Sequence, residues 1–243
     1  MFPEYLVASC SKHPLYHPLL PDTITWCRCA NCAHIFVNGY FTDEALAILF
    51  SRTNDHQQFG ADFENQRGIS ARIVERVARF ASVGGAWLDV GFGNGSLLFS
   101  VDEWGYTPVG IDLRPNAAAA LVNVGIEGHR VDIACLDHDG RYVVVSMADV
   151  LEHMPFPKQG LTAAHRLLQD EGVLFLSMPN SESIPWKILT ANTANPYWGE
   201  IEHYHNFGRT RLHSLLEETG FQPVHFAVSE RYRLCMEIIA RKR

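Results

Sequence analysis

The residues best able to hold a metal are unevenly placed: four of the six cysteines, Cys10, Cys27, Cys29 and Cys32, fall within the first 32 positions. Cys10 and His13 form a CxxH pair, Cys29 and Cys32 form a CxxC pair, and the segment 14–28 separates them. Two such knuckles can surround one tetrahedral zinc ion, with Cys27 as a rival ligand. A set of reduced, half-buried thiols is the other reading of the same residues. Four protein ligands close a site, so a metal there is structural rather than catalytic. A different chemistry is written at Gly91, Phe92, Gly93, Asn94 and Gly95, a turn of alternate glycines followed by Ser96. Glycine permits positive φ and removes the Cβ, so a ligand can approach the backbone and the free N–H groups of the helix that follows. The dinucleotide fingerprint needs glycine where Ser96 stands, so the NAD pattern is not matched.

Carboxylates recur at ordered places around this turn. Asp89 precedes it, Asp112 follows Gly110 and Ile111, Asp132 adjoins Ile133, and Asp149 follows Ala148. Any one of these acids reads equally as a helix cap. Their order, each at the end of an apolar run, points to one crevice beyond the carboxyl ends of parallel strands, with Asp112 placed to hold a ribose diol. Arg67 is a cation available to a cofactor carboxylate, or a solvated helix face. His153 in LEHMP, and His203 and His205 in EIEHYHNFGRTRL, are the acid–base candidates, and all three also suit packing or hydrogen bonding in loops.

The elements that must position these residues can be read from periodicity. The chain has 243 residues, 47% hydrophobic and 19% charged, enough to close one or two cores. Composition changes near residue 50, which divides a small module at 1–50 from a larger domain at 51–243. A short helix is expected over 41–50 and an amphipathic one over 67–81, where Ile69, Ile73, Val77 and Phe80 share a face. Then strands at 86–90, 107–112, 129–133, 142–148 and 172–178 alternate with helices at 96–104, 116–124 and 158–169. This alternation predicts an α/β fold, a doubly wound and mostly parallel sheet. An irregular stretch at 179–208 precedes a helix at 209–219. The final strands, near 221–229 and 233–240, are joined by Glu230, Arg231 and Tyr232 and form an antiparallel hairpin. A net charge of −7 disfavours nucleic acid as partner. No apolar run reaches the roughly 20 residues of a membrane helix. Residues 1–9 lack a basic leader and an apolar core, so a cytoplasmic, soluble protein is expected.

The series LDVGFGNGS, VGID, VDIA, ADVLEHMPFP, SMPN and FGRTRLHSLLEETGF resembles the class I S-adenosylmethionine-dependent methyltransferases, and among them the small-molecule branch of ubiquinone-pathway O-methyltransferases. The resemblance covers about residues 65–243 and implies the Rossmann-like methyltransferase fold with seven strands. It implies that Asp89 and the turn Gly91, Phe92, Gly93, Asn94 hold the methionine end of the cofactor and that Asp112 with Leu113 holds the ribose. Asp132 and Ile133 are then at the adenine, and Ala148 and Asp149 below the sulfonium. Phe92 departs from the small or polar residue that many relatives carry, which alters local pocket shape. The module at 1–50 resembles a zinc-ribbon-like leader, departing from its four-cysteine form at His13. The implied function is transfer of a methyl group from S-adenosylmethionine to an O or N atom of a small-molecule or carrier-bound acceptor, with His203 as the favoured base. Two rivals remain at this stage: a non-catalytic cofactor-binding and protein-interaction module, and a methyltransferase acting on RNA or protein.

Overall fold

The computed structural model describes residues 4–51 and 57–243. Strands β1 (Glu4–Ser9), β2 (Thr23–Arg28) and β3 (Ile35–Val37) form an antiparallel meander, followed by helix α1 (Asp43–Ser51). The register of the first hairpin decides what the cysteines can do. Ser9 faces Thr23, and the Cys10 N–H donates to the Asp22 carbonyl at 2.9 Å. Cys10 is therefore at one end of the hairpin, while Cys29 lies just past the other end of β2, roughly 20 Å away at the rise of a strand. The Cys10 thiol donates to the Pro21 carbonyl at 2.9 Å, and His13 Nε2 meets Glu200 Oε2 at 2.8 Å. No three of Cys10, His13, Cys29 and Cys32 bring ligand atoms within 4.8 Å of one another. The expected zinc quartet does not form, because an antiparallel hairpin separates what sequence spacing allowed to meet.

Helix α2 (Phe63–Val77) leads into the main sheet, starting four residues before the expected helix. Strands β4 (Ala86–Val90), β5 (Thr107–Ile111), β6 (Glu127–His129), β7 (Tyr142–Ala148) and β8 (Leu168–Pro179) alternate with α3 (Ser96–Glu103), α4 (Ala117–Asn123) and α5 (Pro157–Leu167). The irregular stretch holds α6 (Ile184–Ala191) and the two-residue strand β9 (His205–Asn206); α7 (Arg209–Glu218), β10 (Phe221–Val228) and β11 (Cys235–Lys242) complete the chain. The seven-stranded sheet runs β10-β11-β8-β7-β4-β5-β6, parallel from β8 to β6 and antiparallel at β11 and β10. This is the Rossmann-like methyltransferase fold. Its central strands are apolar runs because both faces are covered. Trp87 and Val144 pack with α2 and α3 through Ile73, Val77 and Leu97, while Leu88 and Val145 pack with α5 and α7 through Leu161 and Leu216.

The chain leaves β4 for β5 on one side and returns to β7 on the other, which opens a crevice at the carboxyl end of β4. A second layer sits beside it. β9 pairs with β3, Ile35 opposite Asn206 and Phe36 opposite His205, so the N-terminal module shares a four-stranded sheet with the segment before α7. Ile24, Trp26 and Ile35 pack with Trp186 and Trp198, and Cys10, Leu20 and Leu49 pack with Ile201. Among the described residues no helix is long and apolar enough to cross a membrane.

Candidate functional site

Two groups of side chains face the crevice. The first surrounds the glycine turn. Gly91 and Gly93 both lie in the left-handed region, at φ +63° and +57°. A Cβ on Gly91 would stand 2.9 Å from the Val150 side chain, whereas one on Gly93 would meet nothing within 4 Å, so the space over the turn is open. Phe92 is 3% exposed and turns down into the core, where it fills the space above Gly110 with Leu98 and Leu121. Its bulk therefore does not wall the crevice. Asp89 is also 3% exposed; burial pushes its carboxyl up to about 7, against the pull of the Ser146 hydroxyl, which donates to Oδ1 at 2.6 Å. Ser146 in turn accepts from Trp87 Nε1 at 2.8 Å.

Asp112, at the tip of β5, carries a partner that the sequence reading did not name. Arg114 binds Asp112 Oδ1 through Nε at 2.9 Å, and also donates to the Gly93 and Gln57 carbonyls at 2.9 Å. It thereby ties residue 57 to the turn. The Arg114 backbone N–H also donates to Oδ1 at 2.9 Å and its Nη2 to Oδ2 at 2.5 Å, so of about four lone-pair positions on Asp112 about one, on Oδ2, stays open to a hydroxyl. Asp132 does not sit at a strand tip: β6 ends at His129, and Asp132 caps the short turn at 133–135 by accepting from Ala134 N–H at 2.8 Å. Ile133 is buried in the core below, and Leu113 is exposed at the rim. Arg67 is not brought into this group. It pairs with Glu103 at 2.9 Å on the outer surface of α2 and α3, two helical turns from the glycine turn.

The second group lies beyond the end of β7. Asp149, at φ +57°, accepts from the Ser177 hydroxyl at 3.2 Å and pairs with Arg231 at 3.6 Å. Glu152, 1% exposed, is held well above the usual carboxylate range by burial and then by the charge of Asp149. His203 is 7% exposed, and burial, reinforced by His153 and His13, drives it well below its usual value. The His153 and His203 rings meet edge to face at 4.6 Å, and His153 Nδ1 donates to the Glu202 carbonyl at 3.1 Å, which leaves Nε2 as an acceptor. Glu152, His153 and His203 each bring one ligand atom within 4.8 Å of the others, a set able to hold a cation or to relay a proton. Glu152 Oε2 and His203 Nδ1 have no hydrogen-bond partner among the described residues. Tyr197 and Tyr232 stand nearby, and burial raises both phenols.

The profile of the methyltransferase-domain family matches residues 63–226. The chain belongs to that family. The methyltransferase domain is also similar, at 32% identity over 107 residues, to the ubiquinone biosynthesis O-methyltransferase of Escherichia fergusonii, a match covering 41% of this chain and 45% of that one. The chain thus spans about half the length of the curated relatives it matches. In solved structures its fold is shared with the 1,6-didemethyltoxoflavin-N1-methyltransferase of Burkholderia thailandensis, bound to 1,6-didemethyltoxoflavin and S-adenosylhomocysteine (TM-score 0.62, 19% identity, 88% of this chain and 98% of that one). It is shared too with the magnesium protoporphyrin IX methyltransferase of Synechocystis PCC 6803 with bound S-adenosylhomocysteine (TM-score 0.58, 16% identity, 85% and 90%).

Within the methyltransferase domain the structure gathers Asp89, Gly91, Gly93, Asn94 and Asp112 around one turn, with Ala148 and Asp149 at the end of the neighbouring strand. Asn94 supports the turn from inside, its side chain bonding the Ala61 carbonyl at 2.8 Å and Ser96 N–H at 3.1 Å. Sequence reasoning missed Arg114, Ser146, Glu152 and Arg231 as members of the site. Arg114 and Glu152 had a signal, standing two residues after Asp112 and beside His153; Ser146 and Arg231 had none, because only the folded sheet brings them in.

Proposed function

We propose that this chain transfers a methyl group from S-adenosylmethionine to an O or N atom of a small-molecule or carrier-bound acceptor. The observation that carries the reading is the adjacency of an open glycine turn flanked by two buried carboxylates and, one strand away, buried Glu152 and His203 with half-buried His153. The residues suit the cofactor: open space over Gly93, and carboxylates at Asp89 and Asp112 able to accept from an ammonium and a ribose hydroxyl. Bound there, the cofactor supplies an electrophilic methyl group on a good leaving group. Asp112 orients by accepting a ribose hydroxyl at its open Oδ2 position, Asp89 by accepting from the amine, and Leu113 and Ile133 flank the base. Alignment and exclusion of water then do most of the work. The second group serves the acceptor: His203 or His153 takes its proton, and Glu152 lies within reach to hydrogen-bond it. The two solved relatives of the same fold carry S-adenosylhomocysteine, which supports the choice of cofactor.

The test is calorimetric titration of the full chain with S-adenosylmethionine, S-adenosylhomocysteine and NAD. Binding of the first two and not the third is expected; selective NAD binding overturns the reading. Methyl transfer to a panel of hydroxyl- and amine-bearing metabolites then separates an enzyme from a binding module.

A further inference from the structure

Residues 57–62, which lead into α2, bridge the two strand ends that border the crevice. At one end the Gln57 carbonyl accepts from Arg114 Nη1 at 2.9 Å, in the loop after β5. At the other, Gly60 N–H donates to the Asn94 carbonyl at 3.0 Å and Asn94 Nδ2 donates to the Ala61 carbonyl at 2.8 Å, on the glycine turn after β4. A cofactor with its ribose at Asp112 and its methionine end at the turn spans the same two points. Between them Phe59 packs over the turn: a Cβ on Gly95 would stand 2.9 Å from its ring, and it meets Phe99 edge to face at 5.6 Å. Gln57, Gln58 and Gly60 are exposed, and a segment with exposed backbone and little buried apolar surface opens at low free-energy cost.

Arg114 joins this strap to the ribose carboxylate. Its Nε bonds Asp112 Oδ1, its Nη2 bonds Asp112 Oδ2 and the Gly93 carbonyl, and its Nη1 bonds Gln57. The guanidinium is a rigid plane, so the carboxylate on one edge and the Gln57 carbonyl on another are fixed relative to each other. We propose that residues 57–62 are a lid over the bound cofactor and that Arg114 is its latch, a positioning residue that holds the lid shut while Asp112 holds the ribose. The inference rests on the cofactor reading above. The fork presents Asp112 already oriented, with its open Oδ2 position for a hydroxyl, and the lid opens when Arg114 lets go of Gln57. That opening is the step that releases S-adenosylhomocysteine.

The experiment loads the full chain with radiolabelled S-adenosylhomocysteine, follows its release into an excess of unlabelled compound, and measures amide hydrogen exchange over residues 57–62 with and without it. In the wild type, bound S-adenosylhomocysteine should slow exchange of the Gly60 amide about tenfold or more. Arg114→Gln should speed release about tenfold and remove most of that protection. Arg114→Lys, which keeps the charge but not the fork, should restore neither. Phe59→Ala leaves the fork intact and loosens only the lid, so it too should speed release, by about threefold or more. Exchange at Gly60 that S-adenosylhomocysteine does not slow overturns the lid. So does release from Phe59→Ala at the wild-type rate, which confines Arg114 to Asp112, or tighter binding by Arg114→Gln, which makes the arginine a competitor of the ribose. A wild type that binds no S-adenosylhomocysteine overturns the cofactor reading itself.

Discussion

Ser146→Ala tests the electrostatics beneath the glycine turn. The Ser146 hydroxyl is wholly buried, donates to Asp89 at 2.6 Å and accepts from the Trp87 indole at 2.8 Å. Burial raises the Asp89 carboxyl from about 4 when unfolded to about 7 when folded. A raised carboxylate pKa means that the native state holds its proton more tightly. Stability therefore falls as pH rises from about 4 to about 7 and levels off above, with a total cost of about 4 kcal/mol. The serine limits that cost by bonding the charged form. Its removal leaves the indole N–H unsatisfied, worth about 1–3 kcal/mol, and at pH 8 also forfeits a bond to a carboxylate, worth about 1.5–3 kcal/mol. At pH 5, where the carboxyl is neutral, the second loss is about half as large. Urea unfolding of both proteins at the two pH values should give a loss of about 2.5–6 kcal/mol at pH 8 and about 2–4.5 kcal/mol at pH 5, the loss at pH 8 being larger by about 1 kcal/mol. Equal losses at the two pH values refute the role of Ser146 in supporting the ionised acid.

Asp112→Ala should weaken S-adenosylhomocysteine binding by about 2–3 kcal/mol, or roughly 30- to 150-fold, in calorimetry. An unchanged affinity in the folded variant removes Asp112 from the cofactor site. His203→Gln should lower turnover by about 100-fold or more while leaving cofactor affinity intact. The acidic limb of the wild-type rate profile should lie below pH 6, since burial drives this imidazole well under its usual value; a limb at pH 7 assigns the base elsewhere. Gly91→Ala places a Cβ 2.9 Å from Val150 at φ +63° and should cost about 2–3 kcal/mol in chemical unfolding, of which Val150→Ala restores only the steric share.

The parts of the fold that sequence predicted well are those where one physical signal dominates. β4 and β7 match their expected limits because a strand covered on both faces is an uninterrupted apolar run between turn residues. Boundaries failed where a side chain takes a local role: Asp132 was expected near the end of a strand over 129–133 and instead, three residues past the end of β6, caps a short turn. The amphipathic pattern around Arg67 gave a helix, yet not which neighbour its charged face meets, and that neighbour is Glu103. The cysteine quartet failed for a related reason, since spacing along the chain carries no register. That the His203 imidazole lies well below the ordinary histidine range could not be read from sequence, because burial is a property of the fold.

The irregular stretch gained its order from the other end of the molecule. Trp26 Nε1 donates to the Trp198 carbonyl at 3.0 Å, and Trp186 stacks on Tyr197 at 5.4 Å. Neither the N-terminal module nor the stretch 179–208 holds enough apolar side chain to close a core alone; together they share one sheet and one aromatic cluster. His13 belongs to this junction. Burial alone lowers its pKa, but the hydrogen bond and charge of Glu200, joined by Glu202, reverse the sign and raise it. The positive charge His13 can carry bears in turn on His203, helping burial and His153 to lower its pKa. The N-terminal strands are thus tied to the surroundings of His203 through a pair of side chains, His13 and Glu200, that are 187 residues apart.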